Sequence, residues 1–110
     1  MNRFRIIAFT HKNLGVEEVG KLHIRDEEKA GRLWAGKRVL GAEELMYLGT
    51  CNRVEFLISF HGELGQKKLQ DLFTALYPSI EKNTIADILK NALVYEGAEA
   101  LRHIFRVASS

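Results

Sequence analysis

Apolar residues fall along this chain in short separated runs whose spacing switches between two residues and three to four. Phe4 to Phe9 reads as a first strand, with Phe4, Ile6 and Ala8 on one face and Arg3, Arg5, Ile7 and Phe9 on the other. Thr10 to Gly15 reads as a loop leaving its carboxyl end, and Val16 to Gly20 as a short turn of helix. Leu22-His23-Ile24 supplies two apolar anchors around a histidine of no evident function. Asp26 is the expected cap of a helix to about Arg38, with Ala30, Leu33, Trp34 and the stem of Lys37 on one side and Trp34 as its core anchor. Gly31 and Gly36 weaken that helix by about 1 kcal/mol each relative to alanine.

Leu45 to Leu48 and Val54 to Ser59 read as the second and third strands, separated by Gly49-Thr50-Cys51-Asn52-Arg53. Gln66 to Tyr77 is the clearest helix, since Leu69, Leu72, Phe73 and Leu76 recur at helical spacing and Pro78 ends it. Ile80 to Leu89 holds a short amphipathic turn or helix begun by Thr84, and Ala92 to Tyr95 a fourth strand. In a final helix, about residues 97–110, Leu101, Ile104, Phe105 and Ala108 line an apolar face, and Glu99, His103 and Arg106 share another. The predicted class is α+β: a split β-α-β-β-α-β, ferredoxin-like antiparallel sheet with helices on one face, plus the final helix.

Length and charge narrow the picture. A chain of 110 residues is one domain, too short for a nucleotide-binding domain plus anything else. Sixteen basic against fourteen acidic residues give a net charge of +2, which is no polycationic nucleic-acid footprint. A single cysteine excludes an internal disulfide and any cysteine cluster for zinc or iron-sulfur. No run approaches the roughly 20 apolar residues of a membrane span, and a reducing cytoplasm fits best. The last helix reaches Ser110 without a glycine, proline or polar tail to stop it, as expected of the amino-terminal piece of a longer protein.

The candidate chemistry centres on that one cysteine. Cys51 lies in the break between two strands, where its thiol is a nucleophile if a neighbour lowers its pKa or takes its proton; the alternative is a small buried hydrophobe. His11 sits in the loop after the first strand, near where α/β proteins tend to place ligands, and His61 reads as surface. His103 is not placed as a core residue by periodicity, which leaves a solvated helix histidine or a functional one.

Thr50-Cys51-Asn52-Arg53-Val54-Glu55, with His11-Lys12 after the first strand and His103-Ile104-Phe105-Arg106-Val107-Ala108-Ser109 at the end, resembles the amino-terminal catalytic domain of glutamyl-tRNA reductase. The resemblance covers nearly the whole chain in order and spacing, and the Glu43-Glu44 approach to the second strand is similar as well. It implies the first step of five-carbon-route tetrapyrrole synthesis. In that family the cysteine matching Cys51 attacks the ester joining glutamate to its tRNA, and hydride from NADPH reduces the resulting thioester to glutamate-1-semialdehyde. The resemblance gives His103 a supporting acid/base or orienting role and Arg53 the glutamyl carboxylate. Thr50, Asn52, Ser109 and His11 become pocket residues. Glu55 is placed to pair with Arg53 and orient it, and Arg106 as a polar support or interdomain contact. NADPH binding and dimerisation would lie in domains absent from this segment, so the fragment alone is expected not to reduce its substrate. Implied partners are glutamyl-tRNA, a second copy of the full-length protein, and glutamate-1-semialdehyde aminomutase, with no membrane and no DNA.

Two positions depart from the family's usual form. Lys12-Asn13-Leu14-Gly15-Val16 stands where threonine-alanine-proline-valine often follows histidine-lysine, which predicts a less fixed loop. Gly49 stands where serine is common and is expected to allow a tighter backbone approach to the nucleophile. Other readings remain open: a different cysteine-dependent acyl-transfer enzyme using Cys51 with His103, or a non-catalytic tRNA- or protein-binding module with Cys51 packed and a basic patch of Arg53, Lys37 and Arg38. A zinc site is weaker, because His11, His61 and His103 show no ligand spacing.

Overall fold

Alternation along the strands becomes two unlike sheet faces in the computed structural model, which describes residues 3–108. Its elements are β1 (Phe4–Thr10), α1 (His11–Leu14), α2 (Val16–Lys21), α3 (Asp26–Leu40), β2 (Glu44–Gly49), β3 (Arg53–Ser59), α4 (Gln66–Leu76), α5 (Lys82–Leu89), β4 (Leu93–Glu96) and α6 (Ala98–Ala108). The strands lie in the order β2-β3-β1-β4, and each neighbouring pair is antiparallel. This is the predicted split arrangement.

On one face Ile7 and Phe9 of β1, Val54, Phe56 and Ile58 of β3 and Leu45 of β2 join Leu69, Leu72, Phe73 and Leu76 of α4 in the main core. Phe56 meets Phe73 edge-on at 5.2 Å between ring centroids, and Phe9 meets Phe73 at 5.5 Å. Each such fully buried side chain stabilises the fold by roughly 1.5–3 kcal/mol. Tyr77 closes the far end, its hydroxyl donating to Leu22 O at 2.6 Å, and burial pushes that hydroxyl well above the usual phenol range. The opposite face carries a smaller cluster of Ile6, Ala8 and Ala100, with Leu57, Leu93, Tyr95 and Ile104 packed on it. The final helix therefore lies across the sheet from α3 and α4.

Five local expectations are corrected, the first at α3, where Arg25 holds the cap position and Asp26 is already the first helical residue. Residues 11–14 form a helical turn rather than a loop: Thr10 Oγ1 accepts from Asn13 N–H, and Gly15 N–H donates to His11 O at 3.0 Å. The α5 helix begins at Lys82 after Glu81, not at Thr84.

Trp34 is no core anchor, since 62 % of it is exposed, and Arg38 stacks on its ring instead. The inward stripe of α3 runs through Arg32, Leu33, Gly36 and Leu40, leaving Ala30, Trp34 and Lys37 outside. Gly36 lies at the centre of this stripe, buried against α4. A Cβ there would stand 3.0 Å from Leu72 and Leu76 methyl carbons, so a side chain at this position would press on the leucines of α4. Lys29 and Arg32 finish the stripe by lying over the Tyr47 and Tyr77 rings.

The α6 helix is likewise rotated from the predicted face: Ala100 and His103 are buried, while Phe105 is exposed.

Candidate active site

The second sheet face places polar residues where the first has phenylalanine. Residues 53, 55 and 57 of β3 alternate with the core-facing Val54, Phe56 and Ile58, and Glu55 stands opposite Ala8 of β1 and Leu48 of β2. Glu55 is only 5 % exposed and His103 6 %. Burial of both requires partners, and they supply one another: His103 Nε2–H donates to Glu55 Oε1 at 2.7 Å. The other carboxylate oxygen, Oε2, accepts from Arg53 Nη1 at 2.9 Å. One buried carboxylate thus aligns an imidazole and a guanidinium. Tyr95 of β4 stacks on the His103 ring at 4.2 Å and 14° between planes, fixing its rotation.

This geometry constrains the chemistry. With the Nε2 hydrogen committed to Glu55, a neutral His103 has its basic lone pair on Nδ1. Arg53 remains partly exposed, and a guanidinium has further donors beyond the one Glu55 takes. Thr50, Arg53, Tyr95, His103, Arg106 and Val107 line one open depression of about 530 Å³. An apolar cavity of about 270 Å³ beside it shares His103 and Val107 and is lined on its far side by Met46 and Leu48.

Cys51 sits in the bend between β2 and β3, exposed and free. The packed-cysteine reading is thereby overturned, because the turn carries the residue beyond the ladder's last pair, Gly49 with Val54. Thr50 N–H donates to Arg53 O at 2.9 Å and closes this turn. His11 is exposed, but its N–H donates to Asn52 O at 3.1 Å, so the start of α1 abuts the turn. The structure therefore brings Thr50, Arg53, Glu55, His103 and Arg106 together, with Cys51 and Asn52 on the adjoining turn. Ser109 lies outside the described residues.

Periodicity misplaced His103 because a histidine satisfied by a buried carboxylate occupies an inward position that hydropathy reserves for apolar residues. The contacts of Tyr95 with His103 and of His23 with Thr50 were not foreseen. His23 Nε2 donates to Thr50 O, a contact across 27 positions that no local pattern announces. Among the described residues no group of three or more His, Cys, Asp or Glu side chains comes together to hold a metal.

Comparison with known proteins identifies the family of the chain. The family described as "Glutamyl-tRNAGlu reductase, N-terminal domain" matches residues 7–110. The chain is 30 % identical over 105 residues to glutamyl-tRNA reductase of Syntrophobacter fumaroxidans, covering 96 % of this chain and 22 % of that protein. To the enzyme of Syntrophotalea carbinolica it is 31 % identical over 107 residues, 97 % of this chain and 24 % of the relative. The solved glutamyl-tRNA reductase from Methanopyrus kandleri superposes with a TM-score of 0.66 at 28 % identity, covering 99 % of this chain and 23 % of that one. The chain thus spans about a quarter of the length of the relatives it matches.

Proposed function

The chain belongs to the glutamyl-tRNA reductase amino-terminal domain family, and from that membership we propose that it is the part of the enzyme that takes glutamate from its tRNA onto Cys51. The observation that carries the reading is Glu55, which ties His103 and Arg53 into one rigid group beside the turn that exposes the thiol.

Each residue then has a role suited to its surroundings. The Cys51 thiolate attacks the ester carbonyl; the carbon-oxygen bond to the terminal adenosine breaks, and the tRNA hydroxyl leaves with a proton. His103 handles that proton through Nδ1, since Glu55 holds its other nitrogen. The Arg53 donors not engaged by Glu55 receive the glutamate side-chain carboxylate, for which a planar fork is suited. Thr50 and Arg106 complete the depression, Asn52 and His11 flank the thiol, and Ser109 is assigned to the same pocket. A thioester is more electrophilic than the ester it replaces, so the product is primed for reduction.

The described residues offer no nicotinamide cradle: the sheet is wholly antiparallel and no glycine-rich turn joins a strand to a helix in a parallel unit. From family membership, and because the chain spans about a quarter of its relatives' length, we assign NADPH binding and hydride delivery to a part of the protein outside this chain, with pairing of two full-length copies and any hand-over of glutamate-1-semialdehyde to an aminomutase. On this reading the 110 residues alone do not reduce glutamyl-tRNA. Among the described residues no helix is long and apolar enough to cross a membrane.

The test is intact mass of the full-length protein, mixed with glutamyl-tRNA without NADPH and quenched in mild acid. One glutamyl adduct on Cys51, released by hydroxylamine and absent from Cys51→Ser, is the expected result. A Cys51→Ser protein that still reduces its substrate at the normal rate overturns the assignment.

A further inference from the structure

The two carbonyl oxygens that bracket Cys51 are held from different directions. Asn52 O accepts from His11 N–H, a backbone tie that any residue except proline could make at position 11. Thr50 O instead accepts from the ring of His23. The other ring nitrogen lies 3.1 Å from Val19 O at the end of α2, so the imidazole spans from α2 to the turn that carries the thiol.

The residues on either side of His23 are also fixed. Leu22 O accepts from the buried Tyr77 hydroxyl, and Ile24 N–H donates to Tyr47 Oη at 3.0 Å. Tyr47 reaches Ile24 by lying against Gly49, where a Cβ would stand 2.8 Å from Tyr47 Cζ. Gly49 thus clears space for a tyrosine that anchors the His23 segment. Gly49, Tyr47, Ile24, His23 and Thr50 form a closed circuit of contacts ending one residue before Cys51. Because His23 itself is exposed, water can replace its bond to Thr50 at little loss of stability. What water cannot do is fix the carbonyl's direction.

From this placement we infer that His23 is a positioning residue for Cys51: by holding the Thr50 carbonyl it sets where the thiol stands relative to the Arg53–His103 depression. The inference rests on the reading of Cys51 as the nucleophile.

Two conservative variants separate this role from a structural one. Glutamine places its amide nitrogen where Nε2 of histidine lies and can still donate to Thr50 O. Asparagine places it near Nδ1, keeping the contact to Val19 and losing the one to Thr50. In the full-length protein, with saturating glutamyl-tRNA, single-turnover formation of the Cys51 adduct is expected to slow about tenfold in His23→Asn and to stay within about twofold of wild type in His23→Gln. Apparent affinity for glutamyl-tRNA is unchanged in both. Alkylation of Cys51 by iodoacetamide, which needs no tRNA, follows the same order. A wild-type adduct that forms equally fast in His23→Asn, or slows equally in both variants, overturns the positioning role and leaves the nucleophile standing. A wild type that turns over with no Cys51 adduct overturns the nucleophile reading and this inference with it.

Discussion

The two faces of the sheet are built from the same strands and differ in what they are for. Along β3, Val54, Phe56 and Ile58 point into a core covered by α3 and α4, while Arg53 and Glu55 point to the face that α6 only partly covers. The first face holds its shape by interlocked rings, with the hydroxyls of Tyr47 and Tyr77 bonded to the backbone at Ile24 and Leu22. The second holds its shape by a buried carboxylate with a partner on each oxygen, and leaves Thr50, Arg53 and His103 lining an open depression. On the proposed reading, adjacent residues separate stability from chemistry, because a strand's period of two sends neighbours to opposite sides.

Substitutions at Phe56 and Glu55 put that division to its strongest test. Phe56→Ala removes a ring buried among Phe73, Tyr77 and Tyr47 and is expected to destabilise the protein by about 4 kcal/mol, read as a lowered urea midpoint. The protein that remains folded should acylate Cys51 at the normal rate. Glu55→Gln is expected to do the reverse in proportion. Gln offers one oxygen and one NH2 where both His103 and Arg53 bring donors, so one bond is lost; acylation should fall about a hundredfold with about 2 kcal/mol of stability. If Glu55→Gln loses as much stability as Phe56→Ala while acylation is untouched, the faces are not divided in this way.

The same contrast explains which parts of the molecule could be read from the chain. The α4 stripe was legible because its inward positions are all large and apolar, and the strand order followed from the succession of periods. The α3 and α6 helices were read with the wrong rotation, because their inward positions hold what hydropathy discounts: Gly36 and the stems of Lys29 and Arg32 in one, His103 in the other. Trp34, the most hydrophobic-looking residue of α3, is outside, while Gly36 is the residue that faces the leucines of α4. Of the site, the Arg53–Glu55 pairing was visible, since residues two apart on a strand share a face. The His103–Glu55 bond, the Tyr95 stack and the His23 tie join residues far apart in the chain and had no local signature. Family resemblance pointed to His103 where periodicity could not.

The smallest expected effect comes from a carboxylate that two arginines hold near the surface. Glu28 of α3 accepts from Arg25 at 2.8 Å and from Arg32 at 2.6 Å, so each of its oxygens has a donor, as those of Glu55 do, but at the surface. Hydrogen bonds from Arg25 and then Arg32 hold its carboxyl below the usual range. A lowered folded-state pKa contributes stability that is present above the unfolded value and is lost as pH falls through the folded one. Glu28→Gln is therefore expected to lower the melting temperature slightly at neutral pH. The difference should close at acid pH, where wild type loses the same charge, and should vanish in 1 M salt, where charges are screened within about 3 Å. Acylation of Cys51 is unchanged. A Glu28→Gln loss as large as that of Glu55→Gln, persisting in salt, would mean that burial is not what gives the Glu55 bridge its importance, and the contrast between the two carboxylates would have to be sought in geometry alone.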